Sequence, residues 1–117
     1  MKVSELSGDV LDYWVAKAEG LEAEIREHRG NLVFLPSEGY EYNFAPAHRW
    51  EQGGPIIERE RIVIVPPTIG SESWLAIIDD TFETVHGHHP VAEIGPTPLV
   101  AAMRAYVASK FGEEVPT

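Results

Sequence analysis

The sequence predicts an α+β domain: a small antiparallel sheet packed by an N-terminal and a C-terminal helix, with a long aromatic-rich loop. Three observations predict it. Near each end an apolar stripe recurs at helical spacing between start and stop signals. Between them lie β-branched runs of strand length, bounded by proline and glycine. At 117 residues the chain has the length of a single domain, 1–117, large enough to bury a core without disulfides.

The first helix has Ser4 and Ser7 as alternative caps, and Gly20 follows it. Val10, Leu11, Trp14, Val15 and Ala18 share one face. Asp9 and Asp12 near its start and Lys17 near its end agree with the helix dipole. Residues 21–30 carry Glu22, Glu24, Arg26, Glu27, His28 and Arg29. They read as a solvated connection or an irregular extension of the helix. Residues 31–35, Asn-Leu-Val-Phe-Leu, have strand length and end at Pro36.

Residues 37–55 are the most irregular stretch, a long loop holding Tyr40, Tyr42, Phe44 and Trp50 with His48 and Arg49. Residues 55–60 suit a short helix with Pro55 at its first position. The runs 61–65 and 73–78 are apolar on both faces, as in strands covered on both sides. Residues 79–93 form either a weaker strand or a surface loop. The final helix begins with Thr97 as cap and Pro98 at its first position, and stops at Gly112. Leu99, Val100, Met103, Tyr106, Val107 and Phe111 make its apolar stripe. Trp14, Trp74, Leu99, Met103 and Tyr106 are the expected core.

Composition excludes several classes of function. The chain has no cysteine, so it has no disulfide, thiolate zinc site or thiol nucleophile. Its formal charge of −10 argues against direct nucleic-acid binding, which calls for a basic face. That acidity suits a soluble surface, with a nucleic-acid mimic as the sharper alternative. The longest apolar runs fall far short of the ~20 residues that span a bilayer, so no membrane association is expected. The first residues lack the apolar core of a signal peptide, and a cytoplasmic location is expected.

Three features carry candidate chemistry. His86, His88 and His89 are the one cluster of ligand-type side chains, and His86 and His88 share a face in an extended segment. They suit a small metal-dependent enzyme or an adventitious divalent metal; no dedicated cofactor is expected. Gly53-Gly54-Pro55 suggests an anion-binding turn, but Pro55 removes one N–H donor, and the glycines suit a tight turn equally. Tyr40, Tyr42, Phe44, His48, Arg49 and Trp50 have the composition of a contact surface; anchoring of the loop explains the same rings. Neighbouring acids such as Glu58 with Glu60 or Asp79 with Asp80 have no apolar pocket to tune them, and no motif specifies a reaction.

Three blocks, Leu11-Asp12-Tyr13-Trp14-Val15-Ala16-Lys17-Ala18-Glu19-Gly20, Trp50-Glu51-Gln52-Gly53-Gly54-Pro55-Ile56-Ile57-Glu58 and Gly95-Pro96-Thr97-Pro98-Leu99-Val100-Ala101-Ala102-Met103-Arg104, occur in an order and spacing that resembles the phage NinX-like proteins. These are small proteins of unknown function encoded by tailed phages and prophages. In that family a Tyr-Ser-Pro-Ser-Thr-Asp segment often precedes the Trp. Here it reads Phe44-Ala45-Pro46-Ala47-His48-Arg49, without the hydroxyls and the acid. The resemblance implies an accessory phage protein in the host cytoplasm and brings no activity. The expectation is a protein-interaction module that uses the aromatic loop on a host or phage protein, or on a second copy of itself.

Overall fold

The computed structural model describes residues 1–26, 30–35, 40–79 and 90–116, and of 24–26, 30–35 and 40–42 the backbone. After a 3-10 turn at Val3–Glu5, the elements are α1 (Gly8–Ala18), β1 (Ala23–Arg26), β2 (Gly30–Leu35), β3 (Tyr40–Asn43), α2 (Trp50–Glu60), β4 (Val63–Val65), β5 (Trp74–Ile78), β6 (Val91–Gly95) and α3 (Pro98–Phe111). The class is α+β, as expected, with helices against antiparallel strands. The strands form two three-stranded meanders, β1-β2-β3 and β4-β5-β6, rather than one sheet.

α3 is the centre of the molecule. It packs on β5 and β6 and against α1 and α2. Thr97 caps it, its Oγ1 accepting from the Val100 N–H at 3.1 Å, and Pro98 occupies the first turn. Gly112 ends it with φ +87° and ψ −165°, a region that glycine alone tolerates, although it is not the left-handed helical one expected. The stripe is not a stripe. Every residue from Leu99 to Ala108 except Arg104 is buried. Alanines fill the remaining sides and let neighbouring elements approach, so one-sided periodicity understates the burial. Phe111, by contrast, is 41% exposed.

α1 starts at Ser7, whose side chain makes no capping bond, and closes on Gly20 at φ +75°. The Gly20 N–H donates to Lys17 O and the Leu21 N–H to Ala16 O, the paired closure that a glycine favours. Leu11 and Val15 reach the core, whereas Val10 is exposed and Trp14 is half-buried, edge-on to Phe111 at 5.5 Å between ring centres. Trp74 is likewise half-buried against the core. Leu99, Met103 and Tyr106 are buried as expected.

The charged stretch after Gly20 contains β1, a strand and not a solvated connection. It pairs with β2 from Ala23↔Val33 to Arg26↔Gly30 and lies at the sheet edge, where charged residues are ordinary. The long loop is also more regular than expected. β3 pairs with β2, and α2 begins at Trp50, five residues before Pro55, which therefore sits inside the helix. Of residues 79–93, the last part forms β6.

A polar clasp ties the three helices. Arg59 donates to both carboxylate oxygens of Glu19 at 3.1 and 3.0 Å, and to the Tyr106 hydroxyl at 3.1 Å. That hydroxyl donates in turn to Glu19 Oε2 at 3.1 Å. Burial, reinforced by Glu19, pushes the Tyr106 pKa up to about 12; the hydroxyl stays a donor across the physiological range. The chain ends are strapped together as well, with the Val3 N–H donating to Glu113 O and the Val115 N–H to Met1 O, both at 2.9 Å.

Candidate functional site

The link between β3 and α2 is a tight turn held from three sides. The His48 and Arg49 N–H groups both donate to Ala45 O at 3.0 and 2.9 Å. Gln52, in the first turn of α2, accepts from the Ala45 N–H through Oε1 at 2.6 Å and donates through Nε2 to Asn43 O at 2.8 Å. Its two-ended amide staples strand, turn and helix into one unit. Arg49 is the N-cap residue of α2 and makes no side-chain capping bond.

The third support comes from α1. Asp12 is 1% exposed. Its Oδ1 accepts from the Ala47 N–H at 2.9 Å, and its Oδ2 lies 3.0 Å from His48 Nδ1. A buried carboxylate with two such partners is well satisfied, and it anchors the imidazole through Nδ1. Burial pushes the Asp12 pKa above its ordinary 3.8, against the opposing pull of the Ala47 N–H and of His48.

Because the folded-state value lies above the unfolded one, the stability that Asp12 contributes is complete below pH 3.8. It is lost as pH rises through the folded value. Asp12→Asn keeps an acceptor for the Ala47 N–H and removes the titration. The variant is therefore expected to lose this downward slope, which for one proton is no steeper than ~1.4 kcal/mol per pH unit. Urea unfolding at a series of pH values above 3.8 checks it; parallel curves for parent and variant would refute it.

Beside this turn opens a cleft of about 250 Å³, lined by Ala47, His48 and Trp50 on one side and by Thr97, Pro98, Leu99 and Val100 on the other. The first turn of α3 forms the far wall. Trp50 is 55% exposed, a large ring presented at the mouth of an apolar hollow. Arg49 is half-exposed, with Nη1 4.0 Å from Glu51 Oε1.

Among the residues singled out from sequence, the structure brings His48 and Trp50 together at the cleft with Arg49 next to them. Phe44 is buried in the core. Gly53 lies within α2, where its missing side chain admits the Pro46 carbonyl and Leu99, and Gly54 faces open space; neither forms a turn. Tyr40 and Tyr42 belong to β3, at register positions opposite Leu35 and Val33. His86, His88 and His89 lie outside the described residues; among the described residues no group of three or more His, Asp or Glu is placed to hold a metal. Sequence reasoning missed Asp12, read as an acid that complements the helix dipole, and missed Gln52 and the cleft-facing start of α3.

A family model described as "Bacteriophage P22, NinX" matches residues 2–110. Compared with curated proteins one by one, the chain matches none. The match spans nearly the whole chain, and the protein belongs to this phage NinX family. No helix among the described residues is long and apolar enough to cross a membrane.

Proposed function

From membership of the phage NinX family, we propose that this phage accessory protein works by binding another protein in the host cytoplasm. Its contact point is the cleft between the residue 45–49 turn and the start of α3. One observation carries the reading: Trp50, an aromatic side chain, is 55% exposed at the rim of an apolar cleft of about 250 Å³. The turn that leads into it is held by Gln52 and by the buried Asp12. Exposed aromatic anchors beside a preformed pocket are where binding energy concentrates at protein interfaces. A rigid mount lowers the ordering cost of association.

Trp50→Ala is expected to change stability by less than ~1 kcal/mol, since the ring is more than half exposed. It should weaken partner binding by ~2 kcal/mol or more, roughly thirtyfold. Affinity purification from infected cells, with parent and variant compared side by side, checks both effects. A partner retained by the parent and lost by the folded variant supports the reading. An identical set of partners for the two proteins overturns it.

A further inference from the structure

Among the described residues that line the cleft, His48 is the one with a titratable side chain; Ala47, Trp50 and the start of α3 bring none. Imidazole is also the side chain whose charge changes between about pH 5 and 8. It stands half-exposed on the cleft wall, and behind it lies a carboxylate sealed from water. Asp12 is 1% exposed, with Oδ2 3.0 Å from His48 Nδ1 and Oδ1 accepting from the Ala47 N–H. With Nδ1 so engaged, Nε2 is the ring nitrogen left for whatever enters the cleft.

The wall therefore has two charge states that differ by one proton. With that proton the pair is an imidazolium beside a carboxylate, or two neutral groups, and its net charge is zero either way. Without it, the neutral imidazole leaves the buried carboxylate as an uncompensated negative charge. The surrounding groups do not cancel that charge. Asp9, on the same helix, adds repulsion. Arg49 and Glu51, next to His48 in the chain, face each other at 4.0 Å. α3 contributes Thr97, Pro98, Leu99 and Val100, none of which ionises. Burial already disfavours the lone carboxylate, holding Asp12 above its ordinary 3.8. An apolar occupant over His48 displaces the water that still reaches the pair, and so disfavours the uncompensated charge further.

We propose that occupancy of the cleft is proton-linked through Asp12 and His48: the occupant binds the form of the pair that holds the proton and is released as that proton is lost. The inference rests on the cleft being the contact site of this protein. Covering the pair raises its affinity for the proton. The extra binding is therefore complete while the free pair is protonated, and it is lost as pH rises through the value of the covered pair. One proton limits the fall in affinity to about tenfold per pH unit.

Toluene tests this without a protein partner. It is uncharged and has no N–H or O–H to donate, so any pH dependence comes from the protein, and it is small beside a cleft of about 250 Å³. Its binding to the full chain is read from the NMR signal of the Trp50 indole at intervals between about pH 5 and 8. The dissociation constant of the parent is expected to rise about fivefold across that range. Asp12→Asn should reverse the trend, because the charged imidazole is then the uncompensated form and toluene binds better as pH rises. A purely structural Asp12 would instead change the affinity equally at every pH. His48→Gln should bind toluene without pH dependence, and its contrast with the parent stands by itself if Asp12→Asn does not fold. A parent constant that is flat with pH overturns the proposal. The same trend in the parent and in folded Asp12→Asn overturns it too, as does a Trp50 signal that toluene leaves unmoved. None of these results alters the comparison of parent with Trp50→Ala in infected cells, so proton linkage and partner capture fail separately.

Discussion

Met103→Ala is expected to lower the unfolding free energy by about 2–5 kcal/mol, read as a shift of the urea midpoint at unchanged slope. Met103 is 0% exposed in the middle of α3, the helix on which β5, β6 and the other two helices pack. Truncating it removes three heavy atoms from a site walled on several sides. β5 and β6 lie on one flank of the helix and α1 on another, so the walls cannot all close in at once. The cost is therefore the lost transfer energy plus that of a residual cavity. An unchanged midpoint would mean that α3 does not form the centre of the core.

Local signals made this helix legible. Thr97, Pro98 and Gly112 are punctuation that acts within a turn or two, and the structure uses Thr97 and Pro98 as read. What one-sided periodicity could not show was that the alanines of α3 face other elements too. β1 was hidden for a related reason. Glu24 and Arg26 have weak strand preference, and the strand exists through its pairing with β2, a contact that no local rule registers. α2 was foreshortened because Gly53-Gly54-Pro55 has the composition of a turn. In the structure Gly53 serves close packing, and Gln52 braces the start of the helix through its side-chain amide.

The site divides along the same line. Trp50 and His48 were legible because an aromatic and basic cluster in a polar stretch has a recognisable composition. Asp12 was not, since its partners at 47 and 48 are more than thirty residues away in sequence. A carboxylate near a helix start looks like a dipole partner until the fold buries it. The far wall of the cleft was read correctly as a helix start and not as a surface, because the turn that faces it arrives from elsewhere. The two-faced apolar strands were read as covered on both sides. Among the described residues, the fold covers the face toward α3.

The neighbouring glycines of α2 give the second large effect, at the first position and not at the next. A Cβ at Gly53 would meet the Pro46 carbonyl oxygen and stand 2.7 Å from Leu99 Cδ2, whereas at Gly54 it would meet nothing within 4 Å beyond its chain neighbours and its own helix backbone. Gly53→Ala therefore forces α2 away from the turn, and since the obstacle is backbone, rotamer changes alone cannot relieve it. A loss of about 3 kcal/mol is expected, at the upper end for overpacking. Gly54→Ala should instead change stability by less than about 1 kcal/mol, because the benefit of replacing glycine inside a helix is offset by crowding of the new Cβ against the ring of Pro55 that follows it. Chemical denaturation of the two variants separates these outcomes. The displacement reaches the cleft too, because Leu99 is one of its walls and Ala47 follows Pro46 into it. Gly53→Ala should thus weaken partner capture under conditions where it is still folded, and Gly54→Ala should not. Equal stabilities for the two variants would show that the turn is not seated against α2, and the rigid mount for Trp50 would go with it.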